Sequence, residues 1–428
     1  MPPAGRFTGM VQPKFDSCPR DGLWISRVAI CFFLLISWNG FAATPLRFTR
    51  HKIATYPGGY QAAVFDVNGD GHLDVIALST DRNRVDWFEN PTWKPRQIAA
   101  VPHPMDVAPR DLDGNGKCEL AVASGFYWDQ PSKGGEVELF NGKAPNDTNL
   151  WSSTPLARQP VAHRLRWGKL MGGDEVQLIQ APILGAESEY QPNGPKPFNG
   201  QVHISPSHLW AYRVPKDFTQ TPWQILEIDN SLHLLHGIYV GALEPGKADS
   251  VLTASMEGIY RFDFAPQSPG KHWLKQQIAQ GEQLPAGQPS GASEVVAGRL
   301  GANRPFIASV EPWHGELLVV YTPSPDGGLW QRQVIDTSLR EGHALLAVDL
   351  DRDGRDEIVA GWRGGNGGVA VYCATDNAGK HWEKEIVDQN IQVECLVAAD
   401  INADGLVDLV ANSGRHSNLL VWYEQQKK

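Results

Sequence analysis

The sequence is poor in sulfur-containing residues, with five cysteines and five methionines among 428 residues. The cysteines have no C-x-x-C or similar spacing, which argues against a zinc site or a dithiol redox centre built from them. Three of them, Cys118, Cys373 and Cys395, lie beyond the N-terminal region, and an odd number cannot all form internal disulfides. We therefore expect buried thiols, while a Cys373–Cys395 bridge stays open.

Basic residues are also fewer than acidic ones. Lysine and arginine total 38 against 48 aspartate and glutamate residues, which gives a formal net charge of −10. This acidic balance argues against a nucleic-acid partner and suits a cation or a neutral ligand. The chain has no G-x-S-x-G nucleophile turn and no glycine-rich phosphate loop, so neither of these enzyme classes is indicated. Nothing in the sequence indicates an oligomeric state.

Long apolar runs are confined to the N-terminal region. Arg20 and Arg27 precede the run VAICFFLLI, and the small residues Gly40 and Ala42 provide a cleavage site. Residues 1–42 are therefore predicted to be a signal peptide, with the protein secreted or periplasmic and without a transmembrane span after its removal. The run is short for a membrane span, and an uncleaved anchor remains the alternative.

A repeated marker divides residues 43–428 into units. An aromatic residue is followed five residues later by an aliphatic one, as in RFTRHKIA and WKPRQIA, and successive markers lie 45 to 72 residues apart. That spacing fits four short strands with their turns, which is one propeller blade. The markers are the pairs Phe48/Ile53, Trp93/Ile98, Trp151/Leu156, Trp223/Ile228, Trp273/Ile278, Trp330/Ile335 and Trp382/Val387.

Seven markers predict an all-β fold, a single seven-bladed β-propeller over residues 43–428. The first marker has no blade before it, and the last blade, ending in LLVWYEQQ, lacks a marked strand. We therefore expect the N-terminal strand to complete the last blade and close the ring, which removes an exposed sheet edge. A Pro/Gly-rich insertion at residues 181–209 lengthens the third blade. The marker spacing puts its two residues on opposite strand faces unless a bulge intervenes.

Four blades carry an acidic turn with oxygen-bearing residues at positions 1, 3, 5 and 9 and glycine at 6, which has the full form D-x-N-x-D-G-x-x-D in the first and last copies and Asp at position 3 and Glu at position 9 in the other two. Calcium requires six to eight oxygen ligands, which such a loop can supply around one ion. An Asx-type turn that needs no ion is the alternative. The predicted metal ligands are Asp66, Asn68, Asp70, Asp74; Asp111, Asp113, Asn115, Glu119; Asp349, Asp351, Asp353, Glu357; and Asp400, Asn402, Asp404, Asp408.

These loops resemble the calcium hairpins of FG-GAP (VCBS) repeat proteins, such as the propellers of integrin α-subunits. The resemblance extends over the chain beyond residue 42, and its motif is specific in four of the seven repeats. It implies that the loop joins the two innermost strands of a blade and that bound Ca²⁺ has a structural role. The chemistry is then expected at the opposite mouth of the propeller axis.

Residues five or six positions before each loop mark the starts of the innermost strands, which surround the axis. They are Tyr60, Asp106, His163, His236, Ser293, His343 and Glu394. Three histidines at equivalent positions suggest a site, and neighbouring loops add His314, Trp313 and Trp128. Polar residues that merely face a wet channel are the alternative. Aromatic rings beside imidazoles suit a carbohydrate or small sugar ligand.

The segments LLHGIYVGAL, EPWHGE and EGHALLAVDLDRDG resemble the propeller domain of the aldos-2-ulose dehydratases, which eliminate water from keto- or anhydro-sugars. The resemblance implies a carbon–oxygen lyase acting by β-elimination on a keto-sugar or uronate. The candidate catalytic residues are His236, His343, His163, Tyr60 and His314. A second divalent cation held by the histidines at the funnel is left open. The alternative is a glycan- or protein-binding module without enzymatic activity, or a scaffold.

Overall fold

The computed structural model describes residues 45–142, 150–268, 271–302, 304–415 and 417–427. The predicted signal peptide at residues 1–42 lies outside these ranges. Within them the chain forms seven four-stranded antiparallel sheets, and the small remainder is a two-stranded ribbon and one 3₁₀ turn. No helix in the described ranges has the length and apolar character needed to cross a membrane.

The sheets are the blades of a propeller, and six of them consist of strands that follow one another along the chain. The chain starts with β1 (Phe48–Thr55), which belongs to the last blade. Blade 1 contains β2 (Gly59–Phe65), β3 (Asp74–Ser79), β4 (Arg84–Glu89) and β5 (Lys94–Ala99). Blade 2 contains β6 (Asp106–Arg110), β7 (Glu119–Ser124), β8 (Glu136–Asn141) and β9 (Ser152–Arg158).

Blade 3 is interrupted by the insertion. Its four strands are β10 (Ala162–Gly168), β11 (Gln177–Pro182), β14 (Ser207–Arg213) and β15 (Gln224–Leu232). Between β11 and β14 lie the ribbon strands β12 (Glu189–Tyr190) and β13 (Gln201–His203) and the 3₁₀ turn Lys196–Phe198. The residues outside the blade ladder are therefore 183–206, because both ends of the predicted 181–209 segment pair within the blade.

The remaining blades are regular. Blade 4 contains β16 (Gly237–Gly241), β17 (Ser250–Ser255), β18 (Gly258–Ser268) and β19 (Lys271–Ala279). Blade 5 contains β20 (Glu294–Arg299), β21 (Pro305–Glu311), β22 (Leu317–Thr322) and β23 (Gln331–Asp336). Blade 6 contains β24 (Gly342–Val348), β25 (Glu357–Trp362), β26 (Gly368–Ala374) and β27 (Trp382–Asp388). Blade 7 contains β28 (Cys395–Ala399), β29 (Asp408–Ser413), β30 (Leu419–Gln425) and β1.

The N-terminal strand closes the ring, as the sequence predicts. β1 pairs antiparallel with β30, with Phe48 opposite Gln425 and Thr55 opposite Leu419. The innermost strands β2, β6, β10, β16, β20, β24 and β28 contact one another in this order, and β28 contacts β2. Arg50 of β1 also forms an ion pair with Asp388 of blade 6 at 2.9 Å. The circle is thus closed by both backbone and side-chain contacts.

The strands that carry the aromatic–aliphatic markers are the outermost strands of the blades. A β-bulge in each of them determines how the marker residues pack. In every blade the ladder register shifts at the aliphatic marker, so Ile98, for example, lies between the paired residues Gln97 and Ala99. A bulge turns the side chain of the extra residue to the buried face of the strand, which regular alternation would not allow. Ile98 and Ile278 are accordingly buried in outer strands that are otherwise largely exposed.

Packing between blades forms the core. The second strands are fully buried in β3, β7, β11, β17 and β29, which explains their continuous apolar runs. The three cysteines Cys118, Cys373 and Cys395 are buried and free, so the open Cys373–Cys395 bridge is not formed.

An aspartate that follows the bulge links one blade to the next. Asp336 of blade 5 accepts hydrogen bonds from the Tyr372 hydroxyl and from Lys384 Nζ, both in blade 6. Asp388 of blade 6 is bound in the same way by Tyr423 and Arg50 of blade 7. These contacts lock neighbouring blades together at their outer edges.

Candidate functional site

The first side chains of several inner strands are turned toward the axis by a repeated backbone device. In five blades a residue with positive φ stands two positions before the side chain at the start of the inner strand (Tyr60, His163, His236, Ser293 or His343): these residues are Gly58, Val161, Leu234, Gly291 and Glu341. A β-branched residue such as Val161 rarely adopts this conformation, so the packing around it must offset a strain of about 1–3 kcal/mol.

Bulges add to this device. The β2, β10 and β24 ladders each shift register where Tyr60, His163 and His343 lie. Because a bulge re-aims a side chain, these residues leave the regular alternation of the strand. His236 immediately precedes β16, outside the regular ladder, and its backbone amide donates to the Ala254 carbonyl at 3.1 Å.

Four imidazoles and one phenol come together at the axis. The ring centroids of His163 and His236 are 4.7 Å apart, those of His236 and His343 are 5.2 Å apart, and those of His314 and His343 are 5.1 Å apart. The Tyr60 hydroxyl lies 3.2 Å from His163 Nε2 and 3.3 Å from His343 Nε2. The structure thus brings together all five residues that the sequence singles out as catalytic candidates. We call them the imidazole cluster.

Three of the histidines are fixed by the neighbouring blade. The Nδ1 atom of His163 lies 3.1 Å from the His236 carbonyl oxygen, that of His236 lies 3.1 Å from the Ser293 carbonyl, and that of His343 lies 2.8 Å from the Glu394 carbonyl. A carbonyl only accepts, so each Nδ1 carries the proton and each Nε2 presents a lone pair to the cluster.

The Nε2 lone pairs have donors inside the cluster. Arg164 Nη1 lies 3.1 Å from His163 Nε2, and His314 Nε2 lies 3.0 Å from His236 Nε2. Arg363 Nη2 donates to His314 Nδ1 at 3.1 Å, which puts the proton of His314 on Nε2. The Tyr60 hydroxyl is then the donor to His343 Nε2.

Two ion pairs frame the cluster and balance its charge. Arg164 Nη2 donates to Glu294 Oε1 at 3.1 Å, and Arg363 Nη1 donates to Glu394 Oε2 at 3.0 Å. Glu294 Oε1 also lies 2.9 Å from His236 Nδ1. Buried charges of this kind require such partners, because desolvation would otherwise exclude them.

Burial sets the protonation of the cluster. It lowers the pKa of His163, His314 and His343 well below the usual range, and the nearby arginines lower it further. Burial also lowers the pKa of His236, although Glu294 opposes the shift. Burial raises the pKa of Tyr60 above its usual value. The cluster is therefore a set of neutral imidazoles beside a protonated phenol at neutral pH.

Not every strand-start residue joins the cluster. Asp106 accepts hydrogen bonds from Leu165 N and Arg166 Nη1 of the next blade, and the Ser293 hydroxyl donates to the Val310 carbonyl. Sequence reasoning missed Glu294, although its position directly after Ser293 in the repeat could have drawn attention to it.

A cavity of about 600 Å³ extends from the cluster along the axis toward the hairpin loops. Arg164, Glu294 and His343 form its inner end, and apolar residues such as Val64 and Ala347 form its walls. The cluster therefore borders an axial space on the loop side, whereas the sequence predicts a site at the opposite mouth.

The acidic loops join the two innermost strands of blades 1, 2, 6 and 7, where the sequence places them. Asp66 Oδ1 accepts the amides of Gly69 and Asp70, and Asp66 Oδ2 accepts that of Gly71, which is the geometry of an Asx-type turn. The equivalent first aspartates of the other three loops accept amides in the same way.

The oxygens of two loops are close enough to share one ion. The ligand atoms of Asp111, Asp113 and Glu119 lie within 4.8 Å of one another, as do those of Asp349, Asp351 and Asp353. The ninth residue is buried in all four loops and accepts the amide of the second, as Asp74 does from Val67 N at 3.1 Å. Burial raises the pKa of Asp74 to about 7, so a cation would favour the charged form.

Comparison with known proteins agrees with this architecture. Residues 134–324 match the family described as the beta-propeller domain of aldos-2-ulose dehydratase, and residues 47–122 and 349–411 match the FG-GAP-like repeat. The chain is 23% identical over 379 residues to aldos-2-ulose dehydratase of Phanerodontia chrysosporium. The match covers 81% of this chain but 39% of that relative's length.

Among solved structures, the chain is similar to BBS1N in its complex with ARL6DN, in crystals soaked with lead or with mercury. The TM-score is 0.56 at 13% identity in both cases. The match covers 90% of this chain and 97% of BBS1N in the lead-soaked crystal, and 89% and 96% in the other. This likeness concerns the fold alone. The chain is therefore a seven-bladed β-propeller that contains FG-GAP-like repeats and is similar, at low identity, to the propeller domain of aldos-2-ulose dehydratase.

Proposed function

We propose that the protein binds a carbohydrate at the imidazole cluster and eliminates water from a keto-sugar or a uronate. The convergence of four imidazoles and Tyr60 at the axis is the observation that carries this proposal. The relationship to aldos-2-ulose dehydratase supports the choice of a sugar and of a dehydration. Because the match covers a minor part of that relative, the reaction itself is assigned here as a proposal.

The chemistry would be a β-elimination. The lone pair on Nε2 of His236 or His343 takes the proton on the carbon next to the carbonyl, and the electrons of that C–H bond form an enolate. The C–O bond to the β-hydroxyl then breaks as the C=C bond forms, and the hydroxyl leaves as water with one proton from the imidazolium. Arg363 or Arg164 stabilises the enolate oxygen by charge. Tyr60 and His163 position the base.

The cluster also has the donor set for a divalent cation. The ligand nitrogens of His236, His314 and His343 lie within 4.8 Å of one another. A bound cation would act as a Lewis acid toward the sugar carbonyl. His236 and His343 fit, because a backbone carbonyl holds Nδ1 and directs the Nε2 lone pair into the cluster, where a cation would replace the present donors His314 and Tyr60. His314 fits only if Arg363 releases its Nδ1 atom.

The acidic loops are proposed as structural calcium sites. Their side chains supply the oxygens that Ca²⁺ prefers, and binding would neutralise carboxylates that now repel one another. The loop of blade 6 fits less well, because Arg355 pairs with Asp353. Structural calcium sites suit the exported protein that the signal peptide predicted at residues 1–42 implies.

The test is incubation with keto-hexoses, anhydro-keto-sugars and uronates while the ultraviolet absorbance of a new conjugated double bond is followed. We expect the wild type to develop this absorbance. His236→Ala should abolish it. His236→Asn is the matched variant, because an asparagine amide can still donate to the Ser293 carbonyl while the Nε2 lone pair is lost.

Both variants must first be shown to fold, by circular dichroism and thermal unfolding. Absence of absorbance with every sugar, in a wild type that binds one of them by calorimetry, would favour the non-enzymatic glycan-binding alternative. Unchanged rates in folded His236→Asn would contradict the proposed base and ligand roles.

A further inference from the structure

The axial cavity is built by the inner strands and has the size of a small-molecule site. Its volume is about 600 Å³, within the range of about 300–1,000 Å³ that is usual for ligand pockets. The strands β2, β6, β10, β24 and β28 supply most of its lining, and β20 adds Glu294. A single sugar unit therefore fits in this space.

The lining becomes more exposed with distance from the imidazole cluster. In β24, residues 342–345 are buried, whereas residues 346–348 are partly exposed. The same change from buried to partly exposed takes place along β2, β6 and β28. Because these strands run from the cluster to the hairpin loops, the cavity opens at the end of the axis where the loops lie. We call this end the hairpin mouth.

At the other end of the axis, side chains pack directly on the cluster. The ring centroid of Trp313, in blade 5, lies 5.0 Å from that of His236. Trp128 of blade 2 stacks on Trp313 at 6.3 Å, and the Arg415 guanidinium lies 5.7 Å from the centroid of the Tyr60 ring. A sugar that arrived from this end would have to displace these contacts first.

Polar groups converge at the inner end of the cavity. Arg164, Glu294, His343 and Glu394 line it there, and Arg164 and Glu294 form an ion pair at 3.1 Å. Of the five residues of the imidazole cluster, His343 is the one that lines the cavity. A sugar in the cavity therefore reaches the cluster at His343, and the other imidazoles lie behind it.

Arg166 presents hydrogen-bond donors to the cavity between its inner end and the hairpin mouth. Its Nη1 atom donates to Asp106 Oδ2 at 2.8 Å and to the Leu165 carbonyl at 2.7 Å. Its Nε and Nη2 atoms have no acceptor among the residues that the structure describes, and its side chain is 39% exposed. The two bonds of Nη1 hold the guanidinium in place, so the remaining donors are arranged before a ligand binds.

We infer that a single sugar unit enters through the hairpin mouth and binds in the axial cavity, with Arg166 donating to its oxygens and its reacting carbon at His343. The inference rests on the proposed carbohydrate function. A few placed polar groups in a largely apolar pocket fix the orientation of a ligand, and Arg166 and the inner end of the cavity supply them here. Asp106 is then a positioning residue, because it holds the Arg166 guanidinium.

The test blocks each end of the axis chemically after the protein has folded. Ala398→Cys places a thiol on the cavity wall, and Asp81→Cys places one in the exposed turn between β3 and β4, at the end opposite the hairpin mouth. Both are treated with a bulky maleimide, and calorimetry measures binding of D-fructose, an anhydro-keto-hexose and D-galacturonate. Modification of Ala398→Cys should weaken binding at least about tenfold, whereas modification of Asp81→Cys should change it less than about twofold.

The same reagent reports where the sugar lies. A bound sugar should slow the modification of Ala398→Cys several-fold and leave that of Asp81→Cys unchanged. The wild type gives the background, because burial raises the pKa of the cavity-lining Cys395 to about 12 and keeps its thiol protonated. If Ala398→Cys does not fold, Ala347→Cys places a thiol on the cavity wall in blade 6.

Arg166→Lys tests the donor role separately. It keeps a cation beside Asp106 but lacks the planar set of donors, so affinity for the sugar should fall at least about fivefold while thermal unfolding is unchanged. Full affinity in this variant would show that Arg166 only neutralises Asp106.

The remaining outcomes separate the inference from the proposed function. Binding that is lost on modification of Asp81→Cys, or retained on modification of the cavity thiol, overturns the inference alone, as does a cavity thiol that the reagent does not reach. A wild type that binds none of the three sugars overturns the proposed function and the inference with it.

Discussion

The Nδ1 atom of His163 donates to the carbonyl oxygen of His236, 3.1 Å away in the next blade. The same contact joins His236 to Ser293 and His343 to Glu394, so the histidines of three blades are each fixed by the following blade. The site is therefore arranged only when the ring assembles. Each of these imidazoles is held in its Nδ1-protonated tautomer by a carbonyl of the next blade.

This dependence predicts different outcomes for two substitutions of His343. His343→Asn keeps a donor for the Glu394 carbonyl and should lower the free energy of unfolding by less than about 1 kcal/mol. His343→Ala leaves that buried carbonyl unpaired and should cost about 1–3 kcal/mol. Both should lose sugar turnover, because both lack Nε2. Chemical denaturation and the ultraviolet assay measure the two effects separately, and equal stability losses would contradict the anchoring role.

The ring itself was predictable because each blade repeats its own local signals. The markers at Trp93 and Ile98 and their six equivalents gave the number of blades, and the marker at Phe48 gave the closing strand. The bulge was not predictable, since the spacing alone allows either a bulge or opposite faces. The structure resolves this by inserting the aliphatic residue between ladder pairs.

The site was predictable chiefly where it repeats, with His314 added from a neighbouring loop. Tyr60, His163, His236 and His343 stand at equivalent strand starts, so counting back from the loops finds them. The Trp128–Trp313 contact joins residues from blades 2 and 5, and the described residues of the other blades contain no equivalent contact, so there is no periodic signal for it. The positive φ of Val161 was not predictable either, because valine rarely adopts this backbone conformation.

Calcium should raise the thermal stability of the wild type, and removal by a chelator should reverse this. At a concentration of 100 times Kd, one site adds about 2.7 kcal/mol to the free energy of unfolding. Asp66→Ala and Asp400→Ala should each reduce the increase, because the first loop position is lost. Asp349→Ala should reduce it less, since Arg355 already neutralises part of that loop. Scanning calorimetry with and without Ca²⁺ measures the differences.

Asp174→Ala is the matched control for these variants, because Asp174 lies in the corresponding hairpin of blade 3, fully exposed and outside the acidic motif. It should not change the calcium response. An identical response in Asp66→Ala and the wild type would show that the first loop needs no ion and is held by its Asx-type turn.

The aspartate between blades 5 and 6 should make stability depend on pH in the acid range. Burial opposes ionisation of Asp336, but hydrogen bonds from Lys384, Tyr372 and Ser338 lower its pKa to about 2. Because the folded pKa is below the unfolded value of about 3.9, the stabilisation is complete above about pH 5. It is lost as the pH falls from about 4 to 2.

Asp336→Asn should therefore be less stable than the wild type by about 2 kcal/mol at pH 7, with the gap narrowing toward pH 2. Urea unfolding at several pH values measures the gap. Glu383→Gln, an exposed residue of the same outer strand as Lys384, is the control and should show a gap near zero throughout. A constant gap for Asp336→Asn from pH 7 to pH 2 would contradict the assignment of the charge to this contact.

Because of the bulge, we expect one residue of each outermost strand to contribute to the free energy of unfolding as much as a core residue does. Ile98 is fully buried although Lys94 and Gln97 of the same strand are exposed. Ile98→Ala should lower the free energy of unfolding by about 2–5 kcal/mol, because it leaves a cavity between blades. Lys94→Ala should change it by less than about 0.5 kcal/mol. If Ile98→Ala cost no more than Lys94→Ala, the aliphatic marker would be facing solvent and the bulge would not exist in solution.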